Sequence, residues 1–438
     1  EMCGRDWSSD VCSSDLLTAS SHRRYFAMAA ELAHYDLVVF GATGFVGQIL
    51  CRYLLTSAAS QTTFRWAIAG RSTTKLKALV AALGADATQL PQLIADATDA
   101  ASLQQLCAQT RVIVSTVGPY ALYGEPLIQA CATTGTDYCD LTGESQWIRR
   151  MIQRYETQAQ AAGACIVHCC GFDSVPSDLG VYYLQQQSQS RFGKPCTRVK
   201  MRVVAAQGGV SGGTAASGLN LVKEAATDAR LRESIRDPYL LCPDSDKVAT
   251  QPPPLISVQY DPDFHAWVTP FVMADVNTRV VLRSNFLLQS ADDSTFQYDE
   301  GIITSDGPQG WLLAQALKLG LDALVLAAVL PPTRWLLETV ILPASGEGPT
   351  AAEQAQGFYE LQFVGTTAKG EKIRVQVTGD RDPGYGSTAK ILGQAALCLA
   401  QDIAPSERGG FWTPAALLGE ALLKRLESAA GLTFAVLT

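Results

Sequence analysis

The stretch Tyr35 to Gly47, YDLVVFGATGFVG, decides the fold class of this chain. The apolar run Leu37 to Phe40 is typical of a buried strand, and it leads directly into Gly41, Gly44 and Gly47. In a dinucleotide-binding turn the first glycine allows a tight bend. The second lets backbone N–H groups approach the pyrophosphate, and the third allows close packing of helix on strand. The spacing G-x-x-G-x-x-G is less specific than G-x-G-x-x-G, so the motif needs support from its surroundings.

The residues around the glycine turn supply that support. A helical pattern of apolar residues follows from Phe45 to Leu55, and a second apolar run comes where the next strand of a βαβ unit should lie. Altogether six short apolar runs alternate with helical patterns: Leu37 to Phe40, Trp66 to Ala69, Gln92 to Ala95, Val112 to Ser115, Tyr138 to Leu141 and Ile166 to Cys169. We therefore predict an α/β chain whose residues 34–175 form an N-terminal Rossmann domain with a doubly wound parallel sheet.

The pattern changes beyond Asp178. Alternating apolar residues predict strands over four further segments: Arg198 to Ala205, Arg279 to Leu288, Tyr359 to Val364 and Ile373 to Val377. The last two would form a hairpin. We expect residues 176–380 to be a second, mixed α+β domain for substrate binding or dimerisation. We expect residues 381–438 to supply C-terminal helices that pack back on the first domain.

The end of the second predicted strand indicates the cofactor. NAD sites place an acid there, whereas this chain has Gly70-Arg71-Ser72, with Lys75 one helical turn later. A guanidinium, a hydroxyl and an ammonium suit a 2′-phosphate, which indicates NADPH or NADP. The alternative is that Ser72 caps the next helix and Arg71 is solvated surface. The candidate cofactor-binding residues are Gly41, Ala42, Thr43, Gly44, Phe45, Val46, Gly47, Gly70, Arg71, Ser72, Lys75, Asp96, Val117, Gly118 and Pro119.

The composition of the chain limits the kinds of partner and metal site that it can have. Charged residues are only 17% of the chain and the net charge is −8, so we predict no nucleic-acid partner. None of the twelve cysteines belongs to a C-x-x-C pair, and the four histidines are far apart in the sequence. We therefore predict no metal site. Scattered cysteines within apolar runs fit a reducing cytoplasm.

Two segments need separate interpretation. Residues 6–16 read DWSSDVCSSDL, which resembles a translated sequencing-library adapter, so we expect residues 1–27 to be an artefactual, disordered leader. Residues 311–342 are strongly apolar but interrupted by charges and prolines. We favour a buried helix or a homodimer contact there over an interfacial anchor that would place the protein peripherally on a membrane.

The loops after the fourth, fifth and sixth strands should converge on the substrate. Tyr120, Tyr123, Glu144 and Asp173 are their candidate catalytic residues, because hydride transfer leaves a negative charge that a phenol or a protonated carboxyl can neutralise. Each has an alternative. The tyrosines could pack on the nicotinamide ring or on Pro119 and Pro126, Glu144 could cap the helix around Trp147 to Tyr155, and Asp173 could form a turn. His168 lies inside a strand and is expected to be a core histidine.

The chain contains, in this order, the motifs GATGFVG, AGRS, VGPYALYGEP, ACATTGTDYCDLTGE, GFDSVPSDLG, SGGT and DPGYGSTAK. From Leu37 to about Leu399 it resembles the saccharopine dehydrogenase-like oxidoreductases. The resemblance implies an NADP-binding Rossmann domain followed by a second α/β domain. That family includes mycobacterial trans-acting enoyl reductases, which saturate double bonds in acyl chains, and eukaryotic relatives associated with lipid droplets.

The resemblance and the loops together favour an NADP(H)-dependent enoyl reductase that acts on an acyl or lipid-type substrate. Saccharopine-forming enzymes recognise a dicarboxylate through arginines, and the loops here display no arginine cluster. Two alternatives stay open. One is a saccharopine-type amino-acid or imine dehydrogenase, and the other is a non-catalytic NADPH-binding sensor or scaffold at lipid surfaces.

Overall fold

A computed structural model gives the architecture of the chain. It describes residues 34–58, 64–208, 236–243, 254–288, 296–337, 348–404 and 409–437, with the single positions 219, 228 and 251. The predicted leader, residues 1–27, lies outside the described residues, as do residues 338–342 at the end of the apolar segment.

The first sheet contains the six predicted strands, β1 to β6: Tyr35–Phe40, Trp66–Gly70, Gln92–Ile94, Thr110–Ser115, Asp137–Asp140 and Cys165–Val167. Their order is β3-β2-β1-β4-β5-β6 and every pair is parallel. This confirms the predicted doubly wound Rossmann sheet. A seventh parallel strand, Gly410–Trp412, pairs with β6 and was not predicted.

The second sheet is mixed, as predicted. Its members are β7 to β12, Cys196–Gln207, Gln259–Asp261, Ala266–Thr269, Gln297–Ile303, Phe358–Thr367 and Lys372–Gly379, and a last strand, β14, Leu432–Leu437. The strand Gly410–Trp412 of the first sheet is β13. The second sheet has the order β14-β12-β11-β7-β10-β9-β8, with β7 and β10 parallel and the other neighbours antiparallel. The hairpin of β11 and β12 confirms the prediction for those segments.

The helices cover both sheets. In chain order α1 to α14 are Phe45–Ala58, Thr73–Leu83, Ala100–Cys107, Tyr120–Tyr123, Glu125–Thr134, Ser145–Ala162, Val175–Phe192, Ala274–Leu288, Gly307–Val329, Pro331–Leu336, Ala351–Gln356, Thr388–Gln401, Pro414–Leu417 and Gly419–Arg425. Helix α12 packs against α1, β4 and β5 of the first sheet, while α7 packs on β11 and β12 of the second. One apolar core runs through both sheets because these helices share it.

One predicted strand is wrong. Arg279 to Leu288 belongs to the helix Ala274–Leu288. Its buried residues are Asn277 and all six residues from Arg279 to Ser284, and among them Asn277, Val280, Val281 and Ser284 recur at the helical spacing of three and four residues. The local alternation of apolar and polar residues concealed that period.

The apolar segment forms α9 and α10, and most of it is exposed. Of the most apolar 18-residue window in α9, only 11% is buried. The structure therefore contradicts the expectation of a buried helix. Among the described residues α9 is the one helix whose length and composition would allow it to cross a membrane.

Candidate active site

The glycine turn after β1 is closely packed. Gly41 has φ of +86°, and a Cβ there would lie 2.7 Å from Val117 Cγ2. At Gly47 a Cβ would lie 2.3 Å from the backbone oxygen of Gly41, so the first turn of α1 can approach β1 only without a side chain. Thr116 fixes the same turn, because its hydroxyl donates to the Gly41 oxygen at 3.0 Å.

Gly44 differs from its two neighbours. A Cβ there would contact only the Gly41 oxygen, at 3.2 Å. The other side of Gly44 is therefore open, directly before the N-terminus of α1, where backbone N–H groups and the helix dipole attract an anion. The turn fits a dinucleotide pyrophosphate, and Gly41 to Gly47 would hold it.

The residues predicted for the 2′-phosphate lie at the tip of β2. Arg71 and Lys75 are exposed. Ser72 is the N-cap of α2 and accepts a hydrogen bond from the Lys75 backbone N–H at 3.3 Å, as the alternative interpretation held. Capping uses the oxygen lone pair, so the Ser72 hydroxyl proton can still be donated to a phosphate. Asp96 is nearby at the end of β3, and hydrogen bonds from Thr98 lower the pKa of its carboxyl.

The C-terminal part of the chain closes one side of the glycine turn. Phe45 meets Tyr385 edge to face, with ring centroids 5.2 Å apart. The Asp382 carboxylate holds that tyrosine in place by accepting from the backbone N–H groups of Tyr385 at 3.0 Å and Gly386 at 2.7 Å. Sequence reasoning did not assign Asp382, Tyr385 or Gly386 to the site, although the motif DPGYGSTAK contains all three.

The two tyrosines after β4 differ sharply. Tyr120 is 5% exposed, and its hydroxyl donates to the Ser115 carbonyl at 2.9 Å. Burial raises the pKa of this phenol well above its ordinary value. Its ring packs against Trp147, a partner that neither the catalytic prediction nor the packing alternative named. Tyr123 is 41% exposed and keeps its phenol at the surface of the loop.

Glu144 is buried beneath the same loop. Its two carboxylate oxygens accept from the backbone N–H groups of Tyr120 at 2.9 Å and Ala121 at 2.8 Å. These are orphan donors of the first turn of α4, so Glu144 acts as a helix cap. The capped helix is α4 rather than the one that follows Glu144. The carboxylate therefore ties the loop after β5 to the loop after β4.

Asp173 follows β6 and is only partly exposed. Burial raises the pKa of its carboxyl to about 6, and burial is the sole cause. Its neighbours are fixed: the Phe172 N–H donates to Thr388 Oγ1 at 3.0 Å, and the Ser174 hydroxyl donates to Asn277 Oδ1 at 3.1 Å. A carboxyl that changes protonation close to neutral pH is suited to proton transfer.

A buried pair beneath these loops was missed. Asp140, at the end of β5, accepts from the backbone N–H groups of Thr142 at 3.1 Å and Cys169 at 3.2 Å, and its other oxygen lies 2.8 Å from His168 Nδ1. His168 is buried, as expected of a core histidine. Cys169 has φ of +62°, a conformation that is costly for a side-chain residue. Asp140 therefore joins the ends of β5 and β6.

An apolar flank faces the loop after β5. A Cβ on Gly143 would lie 3.9 Å from Met273 Cε and 4.0 Å from Val276 Cγ2. The buried arginines of the same helix, α8, point elsewhere. Arg279 donates to the Asp237 carbonyl at 3.2 Å, and Arg283 donates to the Phe411 carbonyl at 2.6 Å.

Comparison with known proteins identifies the family. A model described as the saccharopine dehydrogenase NADP binding domain matches residues 37–167. A trans-acting enoyl reductase of Mycobacterium leprae (strain TN) is 38% identical over 419 residues, covering 92% of this chain and 98% of that protein. The chain belongs to the saccharopine dehydrogenase-like oxidoreductases, which are related to the trans-acting enoyl reductases. A trans-acting enoyl reductase of Mycobacterium tuberculosis (strain ATCC 25618 / H37Rv) is likewise 38% identical, over 416 residues and 92% of this chain.

A solved structure supports the fold. Apo saccharopine dehydrogenase (L-Glu forming) from Saccharomyces cerevisiae covers 92% of this chain and 99% of its own, with a TM-score of 0.53 and 14% sequence identity. The family match and the glycine turn together make this member of the family an NADP-dependent oxidoreductase. The predicted family, fold class and cofactor are thereby confirmed.

Proposed function

We propose that this oxidoreductase is an enoyl reductase, which saturates a carbon–carbon double bond conjugated to the carbonyl of an acyl chain. The names of relatives that are 38% identical over 92% of the chain support this proposal. The observation that carries it is the apolar flank of Met273 and Val276 opposite Gly143. An acyl chain can bury its methylene groups on such a surface.

The arginines of α8 argue against a dicarboxylate substrate. A buried dicarboxylate needs cationic partners, and Arg is the residue best suited to bind it bidentately. Arg279 and Arg283 instead donate to backbone carbonyls. Diverting them to a substrate would leave those buried carbonyls without donors. We therefore favour the acyl substrate over the saccharopine-type alternative.

The chain's own residues divide the remaining work. Bound NADPH would supply the hydride. Gly41 to Gly47 and Arg71 would hold the NADPH. Hydride addition at the β-carbon leaves negative charge on the substrate's carbonyl oxygen and requires a proton at the α-carbon. Asp173 is our preferred proton donor, because its raised pKa keeps a useful fraction protonated near neutral pH. Tyr123 is the second candidate, since its phenol is exposed in the neighbouring loop.

The test follows NADPH absorbance by stopped flow with a crotonyl-type thioester, and separately with 2-oxoglutarate plus lysine. We expect oxidation with the thioester, slowed at least about tenfold in Asp173→Asn if general acid catalysis is lost. Asp86→Asn, an exposed carboxyl in a short turn, is the matched control and should retain the wild-type rate. Turnover with 2-oxoglutarate plus lysine, and none with the thioester, would contradict the proposal. Tight NADPH binding without turnover of any acceptor would favour a sensor or scaffold.

A further inference from the structure

The most unusual surface of the molecule is the apolar helix pair, defined here as α9 and α10, residues 307–336. We propose that the apolar helix pair lies in the surface of a lipid bilayer, parallel to the membrane plane. Soluble proteins rarely expose apolar patches of more than a few hundred Å², and larger patches mark protein or membrane contacts. Identifying lipid as the occupant requires four further observations.

Exposure extends around most of the circumference of α9. Leu312 and Leu319 are each 65% exposed, and at about 100° per residue they lie on one side of the helix. Leu313 and Leu324 are exposed about 120° away from them, and Val325 is exposed on a third side. A helix or groove of a protein partner would cover one stripe and leave the others in water. Acyl chains surround a helix on every side that the protein leaves open.

Tryptophans stand at both ends of the pair. Trp311 lies in the second turn of α9 and Trp335 is the next-to-last residue of α10, and their exposed fractions are 44% and 63%. Tryptophan is enriched at the level of lipid headgroups, because its ring is apolar and its N–H needs a polar partner. Such a placement is typical of an interfacial segment.

The charges on α9 are balanced. Lys318 and Asp322 form an ion pair at 2.5 Å, one helical turn apart, so the middle of the helix carries no net charge. Binding should therefore depend on burial of apolar area and not on anionic headgroups.

The N-terminal part of α9 is also attached to the protein, which argues against a membrane span. The Gly307 carbonyl accepts from Trp267 Nε1 at 3.0 Å. Gly310 and Ala314 are buried, and α9 packs against β9. A span would have to detach these turns, whereas an in-plane helix keeps them attached.

A second copy of the chain fits less well. The 23 residues of α9 make a rod about 35 Å long and about 10 Å wide. A matching helix laid along it would cover roughly 350 Å² per copy, less than half of the ~800 Å² per partner in a standard interface. The apolar helix pair is therefore too narrow to support a stable dimer alone.

The chain connects the apolar helix pair to the cofactor site. Leu337 follows α10, and Gly348 packs on Phe45 beside the glycine turn. Ten residues lie between the two positions, so the positions lie within about 40 Å of each other. A protein docked through the apolar helix pair would hold its site close to the bilayer.

The test is flotation of the purified full chain with phosphatidylcholine vesicles, with and without phosphatidylglycerol, at low and high salt. We expect binding to both vesicle types that survives high salt. Leu319→Glu should lower the partition coefficient at least about tenfold, because it places a charge where a leucine was buried in lipid. Ile256→Glu is the matched control, since Ile256 is 73% exposed elsewhere on the surface, and it should float like the wild type.

Depth is measured by quenching with lipids brominated near the headgroup. Trp311→Phe and Trp335→Phe should each remove part of the quenching. Three results would each overturn the proposal. The first is absence of flotation, and the second is binding that needs anionic lipid and disappears in high salt. The third is a stoichiometric dimer in light scattering that Leu319→Glu dissociates. These readouts do not depend on turnover, so they remain decisive if the enoyl reductase proposal fails.

Discussion

Alanine substitutions at Gly44 and Gly47 should separate cofactor binding from folding. At Gly47 the new Cβ would lie 2.3 Å from the Gly41 oxygen and 2.9 Å from Ala42 Cα, and both are backbone atoms that cannot rotate away. Forcing α1 away from β1 should reduce the free energy of unfolding by about 2–3 kcal/mol or more. At Gly44 the new Cβ has one contact, 3.2 Å from the Gly41 oxygen. A change within about ±1 kcal/mol is expected there, because the lower entropy of the unfolded chain offsets that contact.

NADPH binding should be impaired directly by the substitution at Gly44, which has little effect on stability. The Gly44 Cβ would occupy the open side of the turn, where the pyrophosphate must approach the backbone. Losing one charge-assisted hydrogen bond costs about 1.5–3 kcal/mol, which is roughly a 10- to 150-fold rise in the Kd for NADPH. Urea denaturation followed by circular dichroism measures the first quantity, and calorimetric titration measures the second. If Gly44→Ala bound NADPH like the wild type, or unfolded as readily as Gly47→Ala, the assignment of this turn to the pyrophosphate would be refuted.

Three further predictions concern the charged residues. Arg71→Ala should raise the Kd for NADPH about tenfold and leave that for NADH within about threefold, because an exposed guanidinium contributes at the lower end of a charged hydrogen bond; equal losses in calorimetry would exclude a 2′-phosphate role. The rate of the proton-transfer step should fall as pH rises through about 6, since the donor form of Asp173 is the protonated one. Asp173→Asn should abolish that dependence, and an identical pH profile in the variant would point to another donor. Glu144→Ala should lower the free energy of unfolding by about 2–4 kcal/mol, because it leaves two buried N–H groups without an acceptor; urea denaturation indistinguishable from wild type would contradict the capping role.

The first sheet was predictable because its signals are local. Five of the six predicted strands are largely buried, Gln92–Ile94 being the exception, and each of the six is followed by a helix that returns the chain to the same edge. The glycine turn is recognisable from seven consecutive residues. A local pattern of that kind can be identified without information about contacts that are distant in sequence.

The second sheet was predictable only in part. Its central hairpin, Phe358–Thr367 with Lys372–Gly379, is local and was found. The edge strand Gln259–Asp261 and its neighbour Ala266–Thr269 are three and four residues long, too short for an alternating pattern to show. Leu432–Leu437 pairs with a strand more than fifty residues earlier, so its partner could not be read from neighbouring residues.

The candidate catalytic residues show why residue type alone was insufficient. Sequence reasoning grouped Glu144 and Asp173 as equivalent carboxyls, yet their surroundings differ. Glu144 accepts two backbone hydrogen bonds and so holds a loop in place. For Asp173 burial is the only influence on its pKa, and no hydrogen bond from the described residues stabilises its charged form.

That difference in hydrogen bonding is what assigns the roles. A carboxylate whose oxygens both accept from backbone N–H groups cannot donate a proton without breaking the loop it supports. A carboxyl that burial alone perturbs can exchange its proton at no such cost to the structure. Asp140 belongs with Glu144, since its oxygens accept from Thr142, Cys169 and Tyr138. Asp140 and Glu144 therefore set the shape of the loops, and this contrast is why we prefer Asp173 as the proposed proton donor.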